Sequence, residues 1–127
     1  MLITIDPDDP RPLYQQIVDA IKALIARGEL NEGAALPPVR QVAGDLGVNM
    51  NTVATAYRQL QDEGLLTVRH GSGAVVTSRT ATTKGEDELR TPLRTALTQL
   101  VLAGLPRAQI MHMVTEELRA LLEGAAR

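Results

Sequence analysis

The amino-acid sequence predicts a mainly α-helical fold with one small β-hairpin, and three observations support this prediction. Apolar residues recur at helical spacing along most of the chain, whereas a strictly alternating pattern is confined to one short stretch. The chain has two aromatic residues, Tyr14 and Tyr57, so its core must consist mostly of Leu, Ile, Val and Ala, which suits packed helices better than a broad sheet. Its 127 residues leave room for one ordinary domain, or for a small domain with an extension.

The first two helical segments each follow a proline. Pro12 suits the first position of a helix, and apolar residues then recur at helical spacing until Gly28 ends the segment. Pro38 likewise fits the first turn of a shorter helix that Gly47 ends. The sequence GELNEGAALPP between the two segments is predicted to be a loop.

A third helical segment begins in NMNTVATAYRQL, at residues 49–60. Asn49 or Asn51 can accept a hydrogen bond from a free backbone N–H of the first turn, so the cluster of small polar residues indicates a helix start. Three or four residues around Gly47 connect this helix to the second one, which is the connection expected of a helix-turn-helix. The predicted buried stripe of the third helix consists of Val53, Ala56, Tyr57 and Leu60.

Residues 65–78 change from helical to alternating period. Leu66 and Val68 alternate with polar residues, HGSG supplies a flexible turn, and a second extended run follows. A hairpin directly after a helix-turn-helix is a wing.

The remainder of the chain predicts a linker and a helical hairpin. SRTATTKGED marks a boundary near residues 78–86, and two apolar-faced segments joined by AGLP follow it. Pro92 implies that the first of them either begins with Thr91 as its cap or is kinked, and the second starts at Pro106. Two such short helices cannot bury both apolar faces alone, so they need a partner, either the first domain or a second copy of the chain.

Several classes of protein do not fit the sequence. The absence of Cys excludes disulfides and thiolate zinc sites, and His70 and His112 lack metal-ligand spacing, so we expect neither metal nor cofactor. The acidic, Pro-rich start and the lack of a long apolar run predict a cytosolic protein without a membrane span. No paired His and carboxylate, phosphate-cradling loop or nucleophile elbow is present, so an enzyme is not expected.

Four segments, in order, resemble the GntR family of bacterial transcription regulators. They are LYQQIVDAIKALIARGEL, LPPVRQVAGDLGVN, NTVATAYRQLQDEGLL and RHGSGAVV, and together they cover roughly residues 11–78. The two-helix tail resembles the YtrA subfamily, in which this part is a dimerisation element too small to enclose an effector. The resemblance therefore implies a winged helix-turn-helix at residues 1–78, followed by a linker and dimerisation tail at residues 79–127.

The resemblance also implies that the third helix enters the major groove of double-stranded DNA and that the wing approaches the adjacent minor groove. Each candidate has a plainer alternative: Arg40 could pair with Asp45 or solvent, the Asn cluster could only cap the helix, and Arg58 and the wing tip could simply be solvated. The candidate DNA-binding residues are Arg40, Asn49, Met50, Asn51, Thr52, Thr55, Arg58, Arg69, His70 and Gly71.

Met50 and Ala54 stand where many relatives have Arg or another long polar residue. Bidentate recognition of guanine is therefore lost at these two points, and the sequence predicts a preference that depends partly on thymine methyl groups and DNA shape. Tyr57 is expected to be a core residue or a backbone contact, because one Tyr does not make a stacking platform for single strands.

These observations predict a homodimeric, sequence-specific DNA-binding regulator, a repressor, that binds a two-fold related operator; whether it responds to an effector is left open. The net charge of residues 1–78 leaves a second interpretation open. Residues 1–78 carry six Arg and Lys against nine Asp and Glu, a net charge of minus three, which disfavours non-specific binding to nucleic acid. The alternative is a winged-helix module that binds another protein.

Overall fold

The computed structural model of the chain describes residues 3–69, 73–77 and 84–125, with Arg69 and residues 123–125 described by their backbone alone. These residues form five α-helices and one three-stranded antiparallel sheet, so the mainly α-helical fold with a small hairpin is confirmed. The elements are α1 (Leu13–Ala26), β1 (Ala35–Leu36), α2 (Val39–Leu46), α3 (Met50–Asp62), β2 (Leu66–Arg69), β3 (Gly73–Val76), α4 (Glu86–Leu102) and α5 (Arg107–Ala125).

One apolar core lies between the first three helices and the sheet. Helix α3 contacts α1, α2 and β2, and its four expected stripe residues are all buried, Val53 and Leu60 completely. Ile17 and Ile21 of α1 meet this stripe, and Leu66 and Val76 close the core from the sheet. Helices α1 to α3 and the β2–β3 hairpin thus form the winged helix-turn-helix that the sequence predicts.

Pro12 and Pro38 lie one residue before their helices rather than in the first turn. Both have an extended backbone, with ψ of 146° and 152°, and neither α1 nor α2 has a side-chain cap. The proline carbonyl instead opens each helix, since Pro38 accepts from the N–H groups of Gln41 and Val42 at 3.0 and 3.2 Å. A fixed φ near −60° suits this position as well as the first helical turn.

Strand β1 is an element that the sequence-based prediction missed, because GELNEGAALPP was expected to be a loop throughout. Ala35 pairs with Val75 and Leu36 with Ala74, which places β3 in the middle of the sheet order β1-β3-β2. Two residues are too few to show alternation. The strand forms because the second edge of β3 supplies hydrogen-bond partners.

Helix α4 begins at Glu86, so of the two alternatives that Pro92 left open, a start with Thr91 as the cap is wrong. Pro92 lies inside the helix. Three acidic residues, Glu86, Asp87 and Glu88, occupy the first turn, where the helix dipole favours negative charge, and they extend the helix ahead of the proline. None of the described helices is long and apolar enough to cross a membrane.

The two tail helices differ in what they touch. Helix α5, which starts one residue after Pro106, packs against α1 of the winged helix. Helix α4 buries none of its residues. The first domain therefore covers part of the tail and leaves the apolar side of α4 open.

Candidate nucleic-acid interface

A tight turn of residues 47–49 sets the angle between α2 and α3. Gly47 ends α2 in the left-handed region with φ of +68°, and the Val48 N–H donates to the Ala43 carbonyl at 3.0 Å. A glycine adopts this conformation at little cost, whereas other residues are strained there. The three-residue connection agrees with the predicted helix-turn-helix.

The polar residues at the start of α3 divide into a cap and two free side chains. The Asn49 carboxamide oxygen accepts from the Asn51 N–H at 2.7 Å, which makes Asn49 the N-cap. Within the described part of the chain, the side chains of Asn51 and Thr52 have no hydrogen-bond partner. Capping therefore accounts for one of the three residues and leaves the other two available for a ligand.

Backbone bonds already occupy most of the first-turn amides of α3. Thr52 and Val53 donate to the Asn49 carbonyl at 3.0 and 3.4 Å, and the Asn51 amide is taken by the cap. Among the described residues, the Met50 N–H has no partner. An anion at this helix end would meet that amide and the positive end of the helix dipole.

One side of α3 faces away from the core. Asn51, Thr55 and Arg58 recur at intervals of four and three residues and so share that side, opposite Val53 and Leu60. The Thr55 hydroxyl donates to the Asn51 carbonyl at 2.8 Å and keeps its lone pairs for a donor. Met50 is 46% exposed at the first turn.

Cations in the winged helix fall into two groups. Arg11 pairs with Asp9 and Asp19, Lys22 with Glu63, and Arg27 with Glu29, so these three are neutralised by neighbouring carboxylates. The pairs of Lys22 and Arg27 are 2.7 and 2.9 Å long.

Arg40 on α2 and Arg58 on α3 behave differently. Both are exposed, and no described residue pairs with either side chain, so the suggested pair of Arg40 with Asp45 does not form. Unpaired guanidinium groups on the helix-turn-helix leave two positive charges free for an anionic partner.

The wing is described in part. Its strands pair in register from Leu66 opposite Val76 to Arg69 opposite Gly73. The Arg69 side chain, His70 and Gly71 lie outside the described residues, so their predicted DNA contacts remain predictions.

Tyr57 ties α3 to the segment that precedes α2. The residue is 3% exposed, and its hydroxyl donates to the Pro37 carbonyl at 2.7 Å. Burial raises the pKa of Tyr57 to about 12, because the charged phenolate is poorly solvated there. Tyr57 is thus both a core residue and a backbone contact, as the sequence predicts, but no sequence signal identified Pro37, twenty residues away, as its partner.

The tail carries a row of exposed apolar side chains on both helices. Leu93 is 53% and Leu102 is 81% exposed, and a shallow groove runs along α4 beside them. In the described part of the chain, no three His, Asp or Glu side chains come close enough together to hold a metal ion. The large exposed apolar residues of the tail are Leu89, Leu93, Val101, Leu102, Met111, Leu118, Leu121 and Leu122.

Comparison with known proteins links this geometry to regulators. Residues 13–76 match the family described as bacterial regulatory proteins, gntR family. The chain is 32% identical over 127 residues to the HTH-type transcriptional repressor YtrA of Bacillus subtilis, and the match covers 97% of this chain and 96% of YtrA. It spans only 15% of a longer regulator that it also matches, the probable rhizopine catabolism regulatory protein MocR of Rhizobium meliloti.

Solved structures show the same relationship. A transcriptional antiterminator from Listeria monocytogenes EGD-e superposes with a TM-score of 0.83 at 29% identity, covering 96% of this chain and 93% of that protein. YtrA from Sulfolobus acidocaldarius, a GntR-family transcription factor, superposes with a TM-score of 0.62 at 41% identity, covering 77% and 99%. A winged helix-turn-helix with unpaired arginines on α2 and α3, and a match to YtrA over nearly its whole length, make this chain a member of the GntR family of transcriptional regulators.

Proposed function

We propose that the chain represses transcription as a homodimer that binds a two-fold related operator in double-stranded DNA. Helix α3 enters the major groove, the wing approaches the minor groove, and the tail joins the two subunits. It acts in the cytosol by binding alone, without catalysis. The repressor assignment is supported by its similarity to YtrA of Bacillus subtilis, which is named a repressor.

This proposal rests on which Arg and Lys side chains are paired with carboxylates and which are not. Although the acidic balance of residues 1–78 disfavours DNA binding, the carboxylates neutralise Arg11, Lys22 and Arg27 and leave Arg40 and Arg58 unpaired. Local charge at the docking face, rather than net charge, determines whether phosphates are attracted over the Debye length of about 8 Å at physiological salt. The acidic balance is therefore compatible with binding through α2 and α3.

The exposed side of α3 supplies groups suited to base edges. The free carboxamide of Asn51 can make paired hydrogen bonds to adenine, and Met50 offers an apolar surface to a thymine methyl group. Thr55 adds a hydroxyl acceptor one turn further along. This chemistry supports the expected preference for A·T base pairs over guanine under the start of α3.

The open side of α4 supports the homodimer. A monomer that leaves so many large apolar side chains exposed on two adjacent helices has an unusually large apolar surface. The described residues of the first domain do not cover the apolar side of α4, so of the two partners suggested by the sequence, a second copy fits best. Joining two subunits also doubles the number of base pairs that are read.

The placement of apolar residues supports the proposed division into domains of residues 1–78 and 79–127. The core cluster lies wholly within the first part, and the exposed apolar row of the tail lies in the second. The described contact between α1 and α5 joins them.

Selection of duplexes from a random pool, followed by titration of the selected duplex at several salt concentrations, tests the proposal. A specific site and a steep salt dependence are expected, since phosphate neutralisation releases counterions. Arg40→Ala and Arg58→Ala should each reduce the slope of log K against log salt by about 1.

Lys22→Ala is the matched control, because it makes the same change in net charge at a residue that is already paired with Glu63. Its slope should equal that of the unmodified chain. A flat salt response in all four proteins, with no selected duplex, would instead favour the winged-helix module that binds another protein.

A further inference from the structure

We propose that the short segment Leu36–Pro38, here called the proline junction, fixes the wing relative to α3, and that Tyr57 is the positioning residue that holds it. This inference rests on the proposed DNA-binding function. It assigns a role in sequence selectivity to two groups that hydrogen-bond to each other, the Tyr57 hydroxyl and the Pro37 carbonyl.

The hydroxyl of Tyr57 is the first of two contacts on the proline junction. It donates to the Pro37 carbonyl at 2.7 Å, while the ring is buried among the core residues. Helix α2 does not use that carbonyl, because its hydrogen-bond ladder begins at the carbonyl of Pro38. The bond therefore belongs to the packing of α3 against the junction and is not part of either helix.

Gly73, the first residue of β3, makes the second contact. A Cβ atom added to this glycine would lie 2.9 Å from the Leu36 carbonyl oxygen and 3.5 Å from the Pro38 nitrogen. Its φ of +81° also lies in the region that other residues rarely adopt. The start of β3, opposite the end of β2, thus lies against the same peptide units that Tyr57 holds.

The proline junction is rigid enough to keep the elements that contact it in fixed relative positions. Both prolines have a restricted φ, and the residue before a proline is confined to extended conformations. Arg40 follows two residues after the junction, on α2. The start of α2, the start of β3 and the middle of α3 therefore all contact this one rigid segment.

Loss of the hydrogen bond between Tyr57 and the proline junction should weaken contacts to DNA bases more than contacts to phosphates. Phosphates repeat along the backbone and tolerate small shifts, whereas hydrogen bonds to base edges require a fixed position. The expected consequence is lower affinity for the operator with little change in affinity for unrelated duplexes.

Tyr57→Phe tests this directly, because it removes the hydroxyl and keeps the ring in the core. We expect affinity for the selected duplex to fall about tenfold, while affinity for a scrambled duplex of equal length changes less than twofold. Tyr14→Phe is the matched control. Tyr14 is the other tyrosine of the chain, it is half-buried against the core, and its hydroxyl has no partner among the described residues.

Both affinities are measured well below the unfolding temperature of each variant. Equal losses for the two duplexes, or no loss for the selected one, would overturn the inference, since a purely structural hydroxyl would not change their ratio. If Tyr57→Phe does not fold, Gly73→Ala presses on the junction from the other side, and an unchanged ratio in that variant would also refute it. Failure of the unmodified chain to select any duplex would instead refute the proposed function.

Discussion

The winged helix and the tail use similar apolar residues in opposite ways. In the winged helix, the Leu, Ile and Val residues on helical stripes are buried, and residues such as Ile17 and Leu60 are completely inaccessible. In the tail, leucines recur at the same spacing, but no residue of α4 is buried, and Leu93 and Leu102 are largely exposed. One region has an apolar core of its own, whereas the other has apolar surface that no described part of its own chain covers.

The contrast shows that apolar periodicity predicts a helix but not what the helix packs against. Helix α3 is surrounded by α1, α2 and β2, so its stripe has partners within the chain. Among the described residues, the apolar stripe of helix α4 meets no comparable surface. Stability in the first region should therefore depend on single side chains of the core, and in the second on association with another chain.

The largest expected effect is in the core. Leu60→Ala removes a fully buried side chain and should reduce the free energy of unfolding by about 2–5 kcal/mol, from lost burial and the cavity left behind. Urea unfolding followed by circular dichroism measures this. Leu102→Ala in the tail is the comparison, and at concentrations where the chain is monomeric its unfolding free energy should change by about 0.5 kcal/mol or less. Equal losses of unfolding free energy in the two variants would contradict the proposed difference between the winged helix and the tail.

The second effect is on association. Leu93→Asp places a charge in the exposed row of α4, and burying it in a subunit interface without a partner would be unfavourable. We expect the proposed dimer to dissociate while the monomer keeps its helical content, as measured by sedimentation equilibrium and circular dichroism.

Asp87→Asn is the control for the Leu93 variant, since it changes a charge on the same helix near its start. It should leave the association constant within about a factor of two, in keeping with the small weight of exposed charges. A Leu93→Asp chain that stays dimeric would show that another surface joins the subunits.

A third prediction separates residues that hold the winged helix from residues that are free to bind. Asn49→Ala removes the cap of α3 and should cost about 1 kcal/mol of stability. Asn51→Ala removes a side chain without a partner in the described structure, so stability should change by about 0.5 kcal/mol or less while affinity for the selected duplex falls. Thermal unfolding and DNA titration of both variants test this, and the opposite pattern would exchange their roles.

The smallest effect concerns the exposed pair between α1 and the end of α3. Burial alone would raise the pKa of Glu63, but hydrogen bonds from Lys22 and Gln59 outweigh it and hold the pKa below its usual value of 4.5. A lowered pKa in the folded chain means that this stabilisation is present above pH 4.5 and is lost as the pH falls further, through the folded-state pKa.

Because both side chains of this pair are more than one third exposed, its contribution should be only about 0.2–1 kcal/mol. The difference in unfolding free energy between the unmodified chain and Lys22→Met, measured from pH 7 to pH 3, should shrink toward zero at the acidic end. A constant difference would show that Lys22 acts through its aliphatic stem instead.

Much of the fold was predictable because it depends on local chemistry. The α3 stripe and the glycine turns at Gly28 and Gly47 follow from helical period and from the conformations that glycine tolerates. The start of α4 at Glu86 was not predicted, because Pro92 left open whether the helix begins beside the proline or runs through it. Strand β1 was missed because its two residues carry no period of their own.

The exposure of some candidate side chains was predictable, although their role stays a prediction. Arg40, Asn51 and Arg58 were identified from their positions in matching motifs and on the outer side of α3, and the structure places all three in the open. Which Asn is the cap, and which cations are neutralised by carboxylates, depends on distances between side chains that no sequence pattern contains. The same is true of the bond from Tyr57 to Pro37.

The sequence by itself determined the helices, the hairpin and the family, because hydrophobic period, turn residues and motif spacing are local properties of the chain. Only the tertiary structure decided that β1 joins the sheet, that Tyr57 and Gly73 meet at the proline junction, and that Arg40 and Arg58 remain unpaired. Those features require residues far apart in sequence to lie within a few ångströms of one another, and only the packing of the core brings them there.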